Sequence, residues 1–258
     1  MNPVTPKKGL GQHFLKDLNI ARKIVGSIEY HQTADILEIG PGTGMLTQYL
    51  LENKKFNTYC IEIDRESVLY LKSRFPELGE NLIEGDFLKT NLSDLFSEPL
   101  VITGNFPYYI SSQIFFKILD YKNIVNEVVC MVQKEVADRI CAAPGSKTYG
   151  ILSVLLQAYY QTTSLFTVNP SVFIPPPKVK STVIRLTRND RTELGCDPVL
   201  FRQVVKTGFN QRRKVLRNSL KSILNGVDPD EAMFQMRPEQ LSVIQFVKLT
   251  QIIEKAKE

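Results

Sequence analysis

Asn105, Phe106, Pro107 and Tyr108 follow directly on the apolar run Leu100, Val101, Ile102, Thr103, Gly104, so a strand end presents an amide, a backbone unable to donate at Pro107, and an aromatic face. The Asn105 side-chain oxygen and a neighbouring backbone carbonyl, such as that of Pro107, can accept both protons of an exocyclic amine while Tyr108 stacks on the ring that bears it. The implied target is an adenine, with cytosine as the alternative. Acceptors aimed at such an amine draw its nitrogen out of conjugation, and the freed lone pair can attack an electrophilic methyl group as positive charge develops. No strong base is required. Taken alone, the tetrapeptide reads more readily as a strand end running into a proline turn; the rest of the chain reverses that preference.

Four further groups fall at strand ends. Gly40, Gly42 and Gly44 let a ligand approach the backbone after the strand Asp35 to Ile39, in the crevice where open α/β sheets bind their ligands. Met45 stands where the dinucleotide fingerprint places its third glycine, which disfavours a phosphate cradle for NAD. Glu38, just before the loop, repels a diphosphate and suits a cationic or amino-bearing ligand. Glu62 ends the second strand about twenty residues beyond the glycine loop, where a carboxylate can accept from both hydroxyls of a ribose. Asp86, after Gly85, is placed for the exocyclic amine of the ligand's own adenine. Each acid alone also fits an ordinary strand-end solubiliser. Together with Asn105 they line one sheet edge, and a ligand with an adenosine and a cationic amino-acid arm but no phosphate describes S-adenosylmethionine.

These groups need elements to hold them. Ile20, Ile24, Val25 and Ile28 mark one face of a helix. Strands at Asp35 to Ile39, Asn57 to Ile63, Asn81 to Glu84, Leu100 to Thr103 and Glu127 to Val132 are separated by helices at Met45 to Leu51, Glu66 to Arg74, Ser111 to Leu119 and Lys134 to Cys141. This alternation predicts an α/β fold, a Rossmann-like, mostly parallel sheet covered on both faces. After a helix from Tyr149 to about Tyr160, the apolar runs Leu165 to Val168 and Ser181 to Leu186 predict late strands, a hairpin closing one edge antiparallel, with Pro175-Pro176-Pro177 in the connection. Beyond Arg188 a polar linker leads into helical texture: Leu216, Leu220 and Ile223 mark one amphipathic helix, and Val243, Phe246, Val247 and Ile252 another. Two domains follow, 1–190 with a basic lead-in over 1–16, and a helical domain over 191–258.

With 258 residues and 43% hydrophobic composition, the chain can bury one large core and a smaller one. No apolar stretch approaches the roughly 18 to 20 residues that span a bilayer, and no signal core follows Lys7 and Lys8, so a cytoplasmic protein without membrane association is expected. Cys60, Cys130, Cys141 and Cys196 have no paired short spacing, which argues against a disulfide or a metal site. The net charge is +5, and from Phe201 to Gly226 there are seven basic residues without an acid, Arg212, Arg213, Lys214 and Arg217 among them. A helix face normally alternates charge, so this run predicts a surface for phosphates, assisted by Lys7 and Lys8.

Nearly the whole chain resembles the ribosomal RNA adenine dimethyltransferase family. The resemblance rests on Gly11-Gln12-His13-Phe14-Leu15, Glu38 to Gly44, Glu62 to Arg65, Gly85-Asp86, Gly104 to Tyr108, Leu152 to Val154, Phe173 to Val179 and Phe209 to Lys214. The first and the last two are specific; those between are shared with many methyltransferases. It implies S-adenosylmethionine-dependent dimethylation of two adjacent adenosines in 16S ribosomal RNA within an assembling small subunit, by a monomer. It further implies that His13 and Leu15 close over the cofactor beside Gly40, Glu62, Asp86 and Asn105. Phe173 would stack on the extruded adenine opposite Tyr108, a role that competes with that of a core anchor beside a rigid turn. The family commonly has asparagine at the places of His13 and Tyr109. Three rivals share part of this pattern: a DNA adenine methyltransferase, a large-subunit RNA methyltransferase conferring antibiotic resistance, and a chiefly non-catalytic ribosome assembly factor.

Overall fold

The computed structural model describes residues 4–224, 227 and 232–256, so residues 1–3 of the basic lead-in and parts of the tail lie outside the described residues. The strands are β1 (Phe14–Leu15), β2 (Ala34–Ile39), β3 (Phe56–Glu62), β4 (Leu82–Glu84), β5 (Leu100–Asn105), β6 (Val125–Gln133), β7 (Tyr160–Val168), β8 (Phe173–Ile174) and β9 (Ser181–Arg188). The α-helices are α1 (Leu18–Val25), α2 (Thr47–Glu52), α3 (Arg65–Arg74), α4 (Ser111–Asp120), α5 (Lys134–Ile140), α6 (Ile151–Gln157), α7 (Pro198–Asn210), α8 (Leu216–Ser219) and α9 (Val243–Lys255). None of the described helices is long and apolar enough to cross a membrane.

Seven strands form one sheet in the order β4-β3-β2-β5-β6-β9-β7. β2 pairs in parallel with β3 and β5, β3 with β4, and β5 with β6. The central strands are apolar on both faces because helices cover both; Ile36, Leu37, Val101 and Ile102 are wholly buried. α1 starts where Asp17 accepts hydrogen bonds from the Asn19 and Ile20 amides, and it turns Ala21 and Ile24 into a core shared with Val129, Met131 and Val183. α3 likewise starts at Asp64, whose side chain accepts from the Glu66 amide, and packs Val68 and Leu71 against Cys60 and Leu82.

The closing strand is antiparallel, as the alternation suggests, but it is not at the edge. β9 inserts between β6 and β7 and runs antiparallel to β6, with Met131 opposite Val183 and Gln133 opposite Ser181. A separate two-stranded ribbon pairs β1 with β8, Phe14 opposite Ile174 and Leu15 opposite Phe173. Two residues per strand carry no readable alternation, which is why the sequence gives no sign of it.

The chain divides into two compact units, Met1–Ala137 with Thr163–Arg188, and Asp138–Thr162 with Asn189–Glu258. The stretch Asp138–Thr162, expected in the sheet domain, groups with the helical tail because α6 packs against α7 and α9. Aromatic rings hold that unit: the buried Tyr149 lies 6.2 Å from the half-buried Phe209, and Phe209 stacks 5.9 Å from the buried Phe246. The amphipathic helix expected around Leu216 to Ile223 is a single turn, α8, followed by a 3-10 turn.

Candidate active site

Parallel pairing brings the carboxyl ends of β2, β3, β4 and β5 to one edge, and a cavity of about 230 Å³ opens there. Gly40, Glu62 and Asp86 line it from the ends of β2, β3 and β4 or the loops just beyond them, and Asn105, Pro107 and Tyr108 all line it from the end of β5 and its loop. Gly40 has a left-handed φ of 65°, and nothing lies within 4 Å of where its Cβ would stand, so the backbone itself forms a cradle for a ligand.

The acids differ in how they are held. Glu62 is buried, with Oε2 accepting from the Gly42 amide at 3.0 Å and Oε1 from the Asp64 amide at 2.9 Å. Each oxygen keeps a second lone pair, enough for a pair of ribose hydroxyls. Burial raises its pKa against the pull of those amides. Glu38 lies deeper, wholly desolvated, and its Oε2 accepts from the Thr47 hydroxyl at 2.6 Å. Desolvation pushes it up to about 7. It opens not on the main cavity but on a smaller one of about 30 Å³, shared with Leu15, Gly40, Gly42 and Asn105. Asp86 uses Oδ1 to accept from the Leu88 amide at 2.9 Å, which fixes its carboxylate beside the apolar wall of Ile63 and Phe87.

Asn105 is split between two tasks. Its Nδ2 donates to the His13 carbonyl at 2.9 Å, while Oδ1 is buried without a hydrogen-bond partner. An orphaned acceptor costs about 1–3 kcal/mol, and a site that tolerates one is waiting for a donor. The Pro107 carbonyl accepts from the Ile110 amide at 3.2 Å and retains a second lone pair. Tyr108 is fixed by a 2.6 Å hydrogen bond between its hydroxyl and Ser181 Oγ, and desolvation holds its phenol above the ordinary value. Phe106 is 1% exposed against Phe115, so it anchors the turn in the core, and its amide donates to the Met131 carbonyl.

Other expected site residues stand apart. Phe173 is 1% exposed, in the core cluster with Leu15, Val168 and Val183, and it does not line the cavity. Lys7 forms ion pairs with Asp64 and, at 3.6 Å, with Glu66, and the Asp64 hydrogen bond raises its pKa. Lys8 is exposed. Arg212 donates from Nη2 to the Ser146 carbonyl at 3.2 Å and sets Nε 3.9 Å from Glu239, whereas Arg213, Lys214 and Arg217 are exposed. Ser181, Ile63 and Phe87 escaped the sequence reading. Ile63 had a usable signal, a large apolar residue directly after the strand-end carboxylate Glu62; Ser181 had none, because its partner is 73 residues away.

Residues 4–255 match the family model described as Ribosomal RNA adenine dimethylase. The chain is similar to Ribosomal RNA small subunit methyltransferase A of Bacteroides fragilis, 58% identical over 259 residues that cover 99% of this chain and 95% of that protein. The Cytophaga hutchinsonii protein of the same name is 54% identical, with 98% of this chain and 99% of that one covered. Among solved structures, a dimethyladenosine transferase from Plasmodium falciparum superposes with a TM-score of 0.80 at 27% identity, over 95% of this chain and 98% of that one. The 23S rRNA methyltransferase ErmE superposes with a TM-score of 0.67 at 23% identity, over 92% and 99% of the two chains, a likeness of fold.

Proposed function

The chain belongs to the ribosomal RNA adenine dimethylase family, and from that premise we propose that it transfers methyl groups from S-adenosylmethionine to the N6 amines of two adjacent adenosines in 16S ribosomal RNA, in an assembling small subunit. The observation that carries this reading is the buried, unpartnered Oδ1 of Asn105 at the rim of a cavity that also holds a ribose-type carboxylate.

The residues fit the cofactor: Gly40 leaves the backbone open, Glu62 has lone pairs for a ribose, Asp86 faces the wall where an adenine would lie, and His13 and Leu15 border the two cavities. Bound there, S-adenosylmethionine supplies the electrophilic methyl. The protein's task is to present the target. Asn105 Oδ1 accepts one amine proton and the Pro107 carbonyl the other, which turns the nitrogen lone pair toward the methyl, while the Tyr108 ring takes the face of the extruded base. Alignment and charge complementarity then lower the barrier without a proton-abstracting side chain. After the first transfer the methylated, cationic N6 releases one of its two protons to solvent, and either acceptor suffices to hold the one that remains. For Phe173 to reach the other face of the base, its ring would have to leave the core shared with Leu15. The exposed Arg213, Lys214 and Arg217, with Lys8, give phosphates a sequence-independent surface.

The test is Asn105→Ala, assayed on unmethylated small subunits with labelled cofactor. Methyl transfer is expected to fall at least about 100-fold with the circular dichroism spectrum and melting temperature preserved; turnover near that of the parent would overturn the assignment.

A further inference from the structure

A half-buried cation stands behind the cavity wall of Ile63 and Phe87. Lys117, in α4, does not itself line the cavity. Its Nζ donates to the Thr90 carbonyl and lies 5.1 Å from the centroid of the Phe87 ring and 5.7 Å from that of Tyr121. Phe87 does line the cavity, so the ammonium meets that ring from outside the wall. Burial lowers the Lys117 pKa, and the charges of Asp86 and Asp120 oppose the shift. Thr90 closes the turn that carries Asp86: its amide and hydroxyl donate to the Asp86 carbonyl at 3.1 and 3.0 Å, beside the Lys89 amide at 2.9 Å. From the C-terminal end of α4, the Tyr121 hydroxyl donates to Asn91 Oδ1 at 2.8 Å and ties down the same segment.

We propose that Lys117 is a positioning residue for the cofactor's adenine, a cation that grips the Asp86 turn at the Thr90 carbonyl and the Phe87 ring and so aims the Asp86 carboxylate at the exocyclic amine. This rests on the methyl-transfer reading above and adds to it a group that touches neither ligand. Asp86 Oδ1 is committed to the Leu88 amide, and that bond fixes the carboxylate's direction only while the turn keeps its shape. Lys117 holds the shape from a helix that starts where Ser111 Oγ donates to the Tyr108 carbonyl at 3.1 Å, so α4 braces the base-gripping loop and the adenine turn together. The other nearby cation cannot replace it. Lys89 sets Nζ 3.9 Å from Asp86 Oδ2, but its side chain is 86% exposed, and such pairs contribute little. A carboxylate accepts and does not donate, so an Asp86 held in place favours a 6-amino purine over a 6-oxo one, and an Asp86 free to swing discriminates less.

Three variants separate tethering from charge: Lys117→Met keeps the stem and loses the cation and donor, Lys117→Arg keeps both, and Lys89→Met removes the exposed cation. Calorimetric titration compares S-adenosylhomocysteine with S-inosylhomocysteine, which carries oxygen in place of the adenine amine. The parent should bind the first more tightly. In Lys117→Met its Kd is expected to rise about tenfold while that of the inosyl ligand stays within about twofold, the lower bound for losing a charge-assisted hydrogen bond that serves the amine alone. Lys117→Arg and Lys89→Met should match the parent. On unmethylated small subunits, Lys117→Met should raise the KM for S-adenosylmethionine in the same proportion and leave kcat unchanged. Equal weakening of both ligands would mean a general loosening of the cavity and overturn the proposal, as would an Arg variant as weak as Met, or a loss in Lys89→Met as large as in Lys117→Met. Hydrogen exchange in the free proteins is a second measurement. The Leu88, Lys89 and Thr90 amides all donate to Asp86 and should exchange faster in Lys117→Met than in the parent or Arg proteins; equal rates would overturn the tether. A parent that binds neither ligand would overturn the cofactor reading and this inference with it, whereas a parent matched by Lys117→Met overturns this inference alone.

Discussion

Beneath the glycine loop, Glu38 pays for its position with a carboxyl that desolvation pushes up to about 7, opposed by hydrogen bonds from Thr47 and Cys60 and reinforced by the charge of Glu62. The raised value belongs to the folded chain, so this group favours folding fully below pH 4.5, and that contribution is lost as the pH rises through about 7. The linkage amounts to about 3 kcal/mol. Urea unfolding from pH 4 to 8 should therefore show Glu38→Gln gaining stability relative to the parent as pH rises; parallel curves would refute the linkage. The Tyr108–Ser181 bond makes a second residue-scale expectation. Tyr108→Phe strands the buried Ser181 hydroxyl and should cost about 1–3 kcal/mol, Ser181→Ala leaves the half-buried Tyr108 hydroxyl unpaired at a smaller cost, and the double variant should cost much less than their sum. Additive losses in thermal unfolding would deny the coupling. Asn105, Glu62 and Asp86 were legible in the sequence because each follows an apolar run that fixes its place at a strand end. The partners of Tyr108 were not, since a contact between residues 73 apart leaves no local pattern.

Strand ends act together only if the strands are in register, and one glycine sets how closely two of them approach. A Cβ on Gly104 would lie 2.5 Å from the Ile39 carbonyl oxygen, and its φ of 150° is a region that side chains avoid. Gly104→Ala should cost at least about 1–3 kcal/mol and shift Asn105, the next residue, so that activity falls further than stability accounts for; calorimetry beside the methylation assay checks both. The parallel core was readable from strand and helix alternation, with most boundaries displaced by only a residue or two. The order of the last strands was not. Adjacent apolar runs suggest an edge hairpin, whereas β9 lies inside the sheet because both of its faces are apolar, with Val183, Ile184 and Leu186 all buried. Nothing in a short run of buried residues tells an inner strand from an outer one.

At the scale of the whole molecule, charge is unevenly shared: the net +5 includes a run of seven basic residues in the tail. Sequence could show the run but not which members face solvent; Arg212 is engaged with Ser146 and Glu239, leaving Arg213, Lys214 and Arg217 as the exposed set nearby. Reversing Arg213 and Lys214 to Glu should weaken binding to ribosomal RNA and flatten the slope of log affinity against log salt by about two; an unaltered slope would place the phosphate surface elsewhere. The antiparallel strand β9 carries a consequence for timing. Every residue expected to cradle the cofactor has been translated by position 105, but Tyr108 gains its anchor only when Ser181 emerges and the final strand slots in beside β6. A nascent chain halted midway would hold its ingredients for capturing a nucleoside and lack the fixed ring needed to grip a base, so competence arrives late in synthesis, with the sheet's last stitch.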